Sequence, residues 1–262
     1  MRIALLTGHV DSSHARSILR ALNERGVSGI DVIASAAQEP RRSLTARVRA
    51  HGWGVLTVGL GWLLRGVGGM LPQVRPAGDS QGTLASLTTA QGGRFVAVGD
   101  ANGEACQQHL RRLGVDLLIL AGAPIVRAPV LSIPRVGTLN AHLGALPRYR
   151  GMNTVEWAIL EGAEPAISVH FVDAGVDTGD IVATQPVPVR PGDTLAAVRA
   201  RANECQLDLL SRTVAAACGT ELPRLTQKPQ DGRQYYTLHP RLRAVAEARL
   251  ASLHGARRPE GA

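Results

Sequence analysis

Apolar and polar positions follow two periods along this chain, and the two periods take turns. Arg2 to Thr7 is a short apolar run. Over Ala15 to Arg25 the residues Ile18, Leu19 and Leu22 recur at helical spacing, and Gly26 and Gly29 end the segment. Ile30 to Ser35 reads as a second strand. The pattern returns downstream with a strand over Arg94 to Val98 and a helix over Asn102 to Leu113, whose apolar side carries Cys106, His109, Leu110 and Leu113. Leu117 to Leu120 is apolar throughout, as expected of a central parallel strand covered on both faces. A helix follows over Thr154 to Glu161, then strands over Ile167 to Val172 and Ile181 to Val189. Helical spacing resumes from Leu195 to Cys218 and from Pro240 to Leu253. Strands alternating with helices predict an α/β fold with an open, mostly parallel twisted sheet and helices on both faces.

Two stretches depart from the alternation. Gln38 to Gly82 opens with Arg41, Arg42, Arg47 and Arg49, then runs apolar from Gly52 to Leu64 with glycines inside and Arg65 behind it. The run is short for a membrane span, and its glycines weaken a helix. It reads as a helical or loop insertion over 38–82 lying on the core or against a partner, with a membrane-surface or substrate-channel element as the alternative. Residues 1–190 form the expected catalytic α/β domain, 191–253 a mainly helical C-terminal extension, and 254–262 a disordered tail.

Composition narrows the classes. In 262 residues, 45% hydrophobic, a sizeable core is available. The formal net charge is +8, carried almost wholly by arginine, since Lys228 is the only lysine. An arginine-rich composition explains this simply; an anionic partner such as a nucleotide, a phosphate or tRNA is the sharper reading. Aromatics are few and not interleaved with arginine, which argues against single-strand stacking. Cys106, Cys205 and Cys218 show neither metal-ligand spacing nor a disulfide framework, which points to a reducing cytoplasm. Met1 leads straight into the first strand, so no signal peptide is expected, nor stable membrane insertion.

The chemistry gathers in Val136 to Ile181. Asn140 and His142 lie two apart after an apolar approach, and in a strand such residues face the same side. An acidic, glycine-bearing loop, Asp173 to Asp180, follows the next strand. Asn, His and Asp brought together suggest acyl transfer: Asn140 as donor to an oxyanion, His142 as a second donor if charged, and Asp177 as the group that holds His142 charged and accepts a proton. The central strand ends in Ala121-Gly122-Ala123-Pro124, a turn placed where open α/β sheets hold ligands. Gly8 to Ser13 precede a helix, so Gly8, Ser12 and Ser13 offer either a plain cap or an anion site. Tyr149, Arg150 and Gly151 read as a polar loop beside the site that contacts substrate. His170 reads as a packed strand histidine. No G-x-G-x-x-G is present, so a nicotinamide fingerprint is absent.

Asn140-Ala141-His142, Leu146-Pro147-Arg148-Tyr149-Arg150-Gly151 and Val176-Asp177-Thr178-Gly179, in that order and spacing, resemble the folate-dependent formyltransferases. The resemblance spans about Asp116 to Val189. It implies a Rossmann-like version of the sheet, a cytoplasmic transferase of one-carbon metabolism, and 10-formyltetrahydrofolate as cosubstrate with no metal. It also implies a catalytic trio of Asn140, His142 and Asp177, and a cis Leu146–Pro147 bond. Its pterin pocket falls on Leu120, Gly122, Pro124, Ile125 and Val126, with backbone groups of Asp173, Ala174, Gly175 and Val176.

The acceptor expected first is a primary amine on a small molecule, either a nucleotide-linked amino sugar or a modified amino acid. Methionyl-tRNA ranks second here, because that enzyme normally carries a C-terminal β-barrel whereas the segment after Val189 reads as helical. Hydrolysis of the same folate is a third reading. A glycinamide ribonucleotide acceptor is disfavoured, since the glycine-rich phosphate loop is not reproduced at Gly8 to Ser13 and Arg150 replaces a proline. A homodimer is compatible with all of these.

Overall fold

The computed structural model describes residues 1–35 and 82–255. The insertion expected over 38–82 lies outside the described residues except for Gly82, as does the tail beyond Gly255. In chain order the elements are β1 (Ile3–Thr7), α1 (Ser13–Glu24), β2 (Asp31–Ser35), α2 (Leu84–Ala90), β3 (Phe95–Val98), α3 (Glu104–Leu113), β4 (Leu117–Ala121), α4 (Ala128–Leu131), β5 (Gly137–His142), β6 (Tyr149–Gly151), α5 (Thr154–Glu161), β7 (Ala166–Phe171), β8 (Ile181–Pro186), α6 (Leu195–Ala217), β9 (Arg233–Tyr235) and α7 (Pro240–Gly255). Most expected elements recur with ends moved by a few residues. Four are additional: α2, the four-residue α4, β6, where a polar loop is expected from the sequence, and β9.

Seven strands form one sheet in the order β3-β2-β1-β4-β5-β7-β8. The first five are parallel, and β7 and β8 run antiparallel to their neighbours. This is the mostly parallel, Rossmann-like sheet that the strand–helix alternation implies.

Alternation along the strands divides the core. Ile3 and Leu5 of β1 join Ile18, Leu19 and Leu22 of α1 and Val198 and Ala202 of α6 in one cluster. Ala4 and Leu6, one residue out of phase, join Cys106, Leu110 and Leu113 of α3 in the other. A helix thus covers each face because neighbouring strand residues point opposite ways. Helix α6 lies past residue 190 yet shares the core with β1, β5 and β7.

The same alternation sets the face of the site. Leu139 and Ala141 of β5 and Ile167, Val169 and Phe171 of β7 belong to the first cluster. Asn140, His142, Ser168 and His170 must then turn to the other side of the sheet.

A small second sheet braces that side. Strand β6 pairs in parallel with β9, with Tyr149 opposite Arg233 and Gly151 opposite Tyr235. The Tyr149 and Tyr235 rings lie 5.1 Å apart, and Trp157 packs on Tyr235. Glu161 accepts a hydrogen bond from each tyrosine hydroxyl at 2.9 Å and pairs with Arg233. Gly151 has φ 92°, and a Cβ there would fall on the Tyr235 carbonyl oxygen. Gly151→Ala therefore combines a backbone unsuited to an L side chain with a backbone clash, a strain of about 1–3 kcal/mol. A lowered melting temperature together with reduced activity is expected; an unchanged melt would show that β6 is not braced in this way.

Among the described residues no helix is long and apolar enough to cross a membrane.

Candidate active site

Strand register brings the polar residues together. Asn140 lies directly opposite His170, and His142 opposite Ser168. Directly opposed residues on one face bring their side chains into contact, and Asn140 Nδ2 is 3.3 Å from His170 Nε2. The β7–β8 loop turns back over this pair and carries Asp177, whose φ of 54° is left-handed. Asp177 Oδ2 lies 3.3 Å from His142 Nδ1, and Oδ1 lies 3.4 Å from His170 Nε2. The Gly151 N–H donates to Asp177 Oδ2 at 2.8 Å. His142 Nε2 is 2.8 Å from the Tyr149 carbonyl oxygen. Strand β6 thus fixes two members of the site through its backbone.

Carbonyl partners decide where the ring protons sit. A carbonyl oxygen can only accept, so His142 carries its proton on Nε2, facing Tyr149. His170 Nδ1 is 2.7 Å from the Phe171 carbonyl oxygen and must likewise be the protonated nitrogen. In their neutral forms both rings then turn a bare nitrogen toward the Asp177 carboxylate. Three acceptors face one another, and one added proton would convert their repulsion into a charge-assisted hydrogen bond. That proton belongs to the cluster rather than to any one member.

Electrostatics oppose a resting charge on His142. Burial pushes the His142 pKa below its ordinary value, against the Asp177 charge and the Tyr149 carbonyl, which pull it up. For Asp177, burial pushes up, but the His170 and His142 imidazoles, once they carry the shared proton, and the Gly151 N–H together hold it below the usual carboxylate range. The expectation that Asp177 keeps His142 charged thus meets a desolvation that outweighs it. Both His142 nitrogens face protein acceptors, Asp177 Oδ2 at Nδ1 and the Tyr149 carbonyl oxygen at Nε2.

Other residues singled out in the sequence are distributed unevenly. Ile125 is 81% exposed and Gly122 and Pro124 are exposed, Leu120 is half-buried, and Val126 is packed inside the second core cluster. In the β7–β8 loop, Asp173 Oδ1 accepts from the Gly175 N–H at 3.0 Å and from Thr178 Oγ1 at 2.6 Å, so this carboxylate braces its own loop. Ala174, Gly175 and Val176 are exposed. Gly8 donates to the Gly122 carbonyl oxygen at 3.2 Å, which ties the loop after β1 to the loop after β4. Ser12 caps α1 through Ala15 N, and Ser13 is exposed in its first turn. Tyr149 and Arg150, read from sequence as substrate contacts, are buried at 1% and 7% exposure. Arg150 donates to the Lys228 carbonyl oxygen at 3.2 Å. The Leu146–Pro147 bond is cis.

Sequence reading missed His170, the Tyr149 carbonyl and Gln227, whose Nε2 donates to the Asp177 carbonyl oxygen at 3.1 Å. The signal for His170 was present: Ser168-Val169-His170 repeats the polar-apolar-polar pattern of Asn140-Ala141-His142. Gln227 lay in a stretch with no periodicity. Among the described residues no group of His, Cys, Asp and Glu is arranged to hold a metal ion.

A mostly parallel α/β sheet with a carboxamide, two imidazoles and a carboxylate gathered on one face defines an enzyme-like site able to orient a carbonyl and take up a proton. Residues 85–214 match the family described as formyl transferase, from α2 into α6, and the chain belongs to that family. It is 34% identical over 135 residues to the methionyl-tRNA formyltransferase of Parvibaculum lavamentivorans, a match covering 51% of this chain and 43% of the relative. The chain thus matches less than half the length of that curated relative. A sugar N-formyltransferase from Shewanella sp FDAARGOS_354 superposes with TM-score 0.58 at 16% identity, covering 95% of this chain and 88% of that one. The N-formyltransferase from Helicobacter canadensis, in complex with folinic acid and dTDP-3-aminofucose, superposes with TM-score 0.55 at 12% identity, covering 96% and 80%. At these identities the two structures establish the shared fold.

Proposed function

We propose that this protein transfers a formyl group from 10-formyltetrahydrofolate to a primary amine of a small-molecule acceptor, through Asn140, His142 and Asp177. The observation that carries the reading is the cluster in which Asp177 faces a bare nitrogen on each of two imidazoles. An attacking amine must lose a proton as its nitrogen bonds to the formyl carbon. His142 and Asp177 receive that proton, His170 stabilises it, and it passes to N10 of the folate as the formyl C–N10 bond breaks and tetrahydrofolate leaves. Asn140 is half-buried and directs one N–H at His170; its second N–H serves the formyl oxygen as negative charge develops there. One such donor typically contributes about 3–4 kcal/mol to barrier lowering.

The donor supplies an activated formyl carbon on a flat heterocycle. Support for its fit comes from the loop after β4, which exposes Ile125 beside backbone groups, and from the exposed Val176 in the loop that carries Asp177. Exposed apolar side chains beside backbone donors and acceptors suit a pterin ring. Folinic acid in the Helicobacter canadensis relative supports the same class of donor.

A small amine is the first reading for the acceptor; a strap of residues 224–236 meets the loop through Gln227, which donates to the Asp177 and Gly179 carbonyl oxygens. Methionyl-tRNA is the second reading, and the curated relatives favour it: they are methionyl-tRNA formyltransferases. They give no support for ranking tRNA below a small amine, and the net charge of +8 suits either anionic carrier. Hydrolysis is the outcome if water takes the amine's place.

The test is an acceptor screen with 10-formyltetrahydrofolate, offering amino-sugar nucleotides, modified amino acids, methionyl-tRNA and buffer alone. Tetrahydrofolate release that depends on a small amine and is insensitive to salt is expected. Release that depends on methionyl-tRNA and falls steeply with salt moves the assignment to tRNA. Release in buffer alone makes the protein a hydrolase, and no release under any condition rejects the transfer.

A further inference from the structure

We infer that Gln227 is a positioning residue for the catalytic carboxylate, holding Asp177 in place through its backbone; the catalytic part of this inference rests on the function proposed above. Gln227 lies about 50 residues past Asp177, outside every motif that marks the site. Its Nε2 donates to the Asp177 carbonyl oxygen at 3.1 Å and to the Gly179 carbonyl oxygen at 2.6 Å. Both partners can only accept, so the amide orientation is set by its surroundings rather than chosen. Its Oε1 is buried without a hydrogen-bond partner. An unpaired buried acceptor is unfavourable, so this side chain is not an optimal stabiliser, and its donor end is the part with a clear task.

The loop needs such an anchor. Asp177 sits in a left-handed conformation that L residues adopt at a cost. The internal braces of the loop come from Asp173 and reach Gly175 and Thr178, while the Asp177 carbonyl is taken by Gln227. The strap that supplies Gln227 is itself pinned. Leu225 exchanges two backbone hydrogen bonds with Ile181, each at 2.9 Å. Arg224 lies 3.6 Å above the Phe171 ring and donates to the Val136 carbonyl oxygen at 2.8 Å. Lys228 offers its carbonyl to Arg150. A segment remote in sequence therefore sets where the carboxylate meets His142 and His170.

The experiment compares Gln227→Met and Gln227→Glu with the wild type. Methionine keeps the volume and removes the donors; glutamate keeps the shape and turns a carboxylate toward two carbonyls. Both variants should melt as folded proteins, and kcat should fall about tenfold or more with KM for both substrates little changed, since a displacement of an ångström is enough for a large loss. In an Asp177→Asn background Gln227→Met should cost less than twofold, because a residue acting only through Asp177 has nothing left to position.

A second readout needs no turnover. The groups facing His142 are Asp177 from the loop, His170 from β7 and the Tyr149 carbonyl from β6. Imidazole nitrogen NMR of His142 should show its titration moving to lower pH in Gln227→Met, as the carboxylate that favours its charged form drifts away. Wild-type kcat and an unmoved His142 titration in both variants would overturn the assignment and leave Gln227 as a packing residue. If the wild-type protein transfers no formyl group, the function reading fails, and the NMR titration alone still decides what Gln227 does.

Discussion

Asp177→Asn is expected to lower kcat by about 10²–10⁴-fold, the range for removing a positioned acid–base group, while the protein stays folded. Asparagine can still accept the Gly151 N–H through its amide oxygen, so β6 keeps its contact with the loop. What disappears is the charge. A neutral amide cannot stabilise a proton on His142 Nδ1, and the amine's proton loses its destination. The variant should also change the acid stability of the protein. The folded pKa of Asp177 lies below its ordinary value, so its contribution to stability is present above the unfolded value of about 3.9 and is lost as pH falls through the folded one. Urea melts at neutral pH and near pH 3 should differ less in Asp177→Asn than in the wild type. Full turnover in the variant would remove Asp177 from the chemistry.

How much of this was legible differs by element. The strand–helix alternation from Arg2 to Ser35 and from Arg94 to Leu120 is written in the apolar spacing, because each strand must fill two core faces and each helix one. Asn140 and His142 are legible as a pair, since a strand puts residues two apart on one side. Register is not legible. Only the β5–β7 pairing reveals that His170 stands opposite Asn140, and a histidine in a strand otherwise resembles any packed residue. Strand β6 is hidden for a related reason. Three residues carry no period, and the partner strand β9 lies more than 80 residues downstream. Tyr149 and Arg150 look like substrate contacts in a loop because they are large and polar. Pairing with β9 instead buries them and leaves their backbone to act on the site. Helices α2 and α4 are too short for a helical period to stand out.

This division has a chemical consequence. Residues proposed to carry the reaction come from compact motifs, whereas the groups proposed to aim them come from elsewhere: the Tyr149 carbonyl, the Gly151 N–H, His170 and Gln227. The first set states which reaction is available. The second fixes which nitrogen of His142 holds a proton, and so whether the ring acts as a base or as a donor.

His142→Ala should abolish most activity, again by about 10²–10⁴-fold, and the pH profile separates the two roles. Burial lowers the His142 pKa from an ordinary value of about 6.5. If the neutral ring takes the amine's proton, kcat/KM should be level through neutral pH and fall only on an acid limb placed below 6.5. If the charged ring donates to an oxyanion, activity should instead rise toward acid through that same region. Stability gives an independent check with its own sign. Between the folded and unfolded pKa values the unfolded chain binds more protons, so the protein gains stability as pH rises through that window and is weakened as pH falls below about 6.5. His142→Ala removes this term, and its stability should vary less over the same interval. An acid limb at or above 6.5, with no change in the slope of stability, would mean that the ring is charged at rest, and the proton would then need another acceptor.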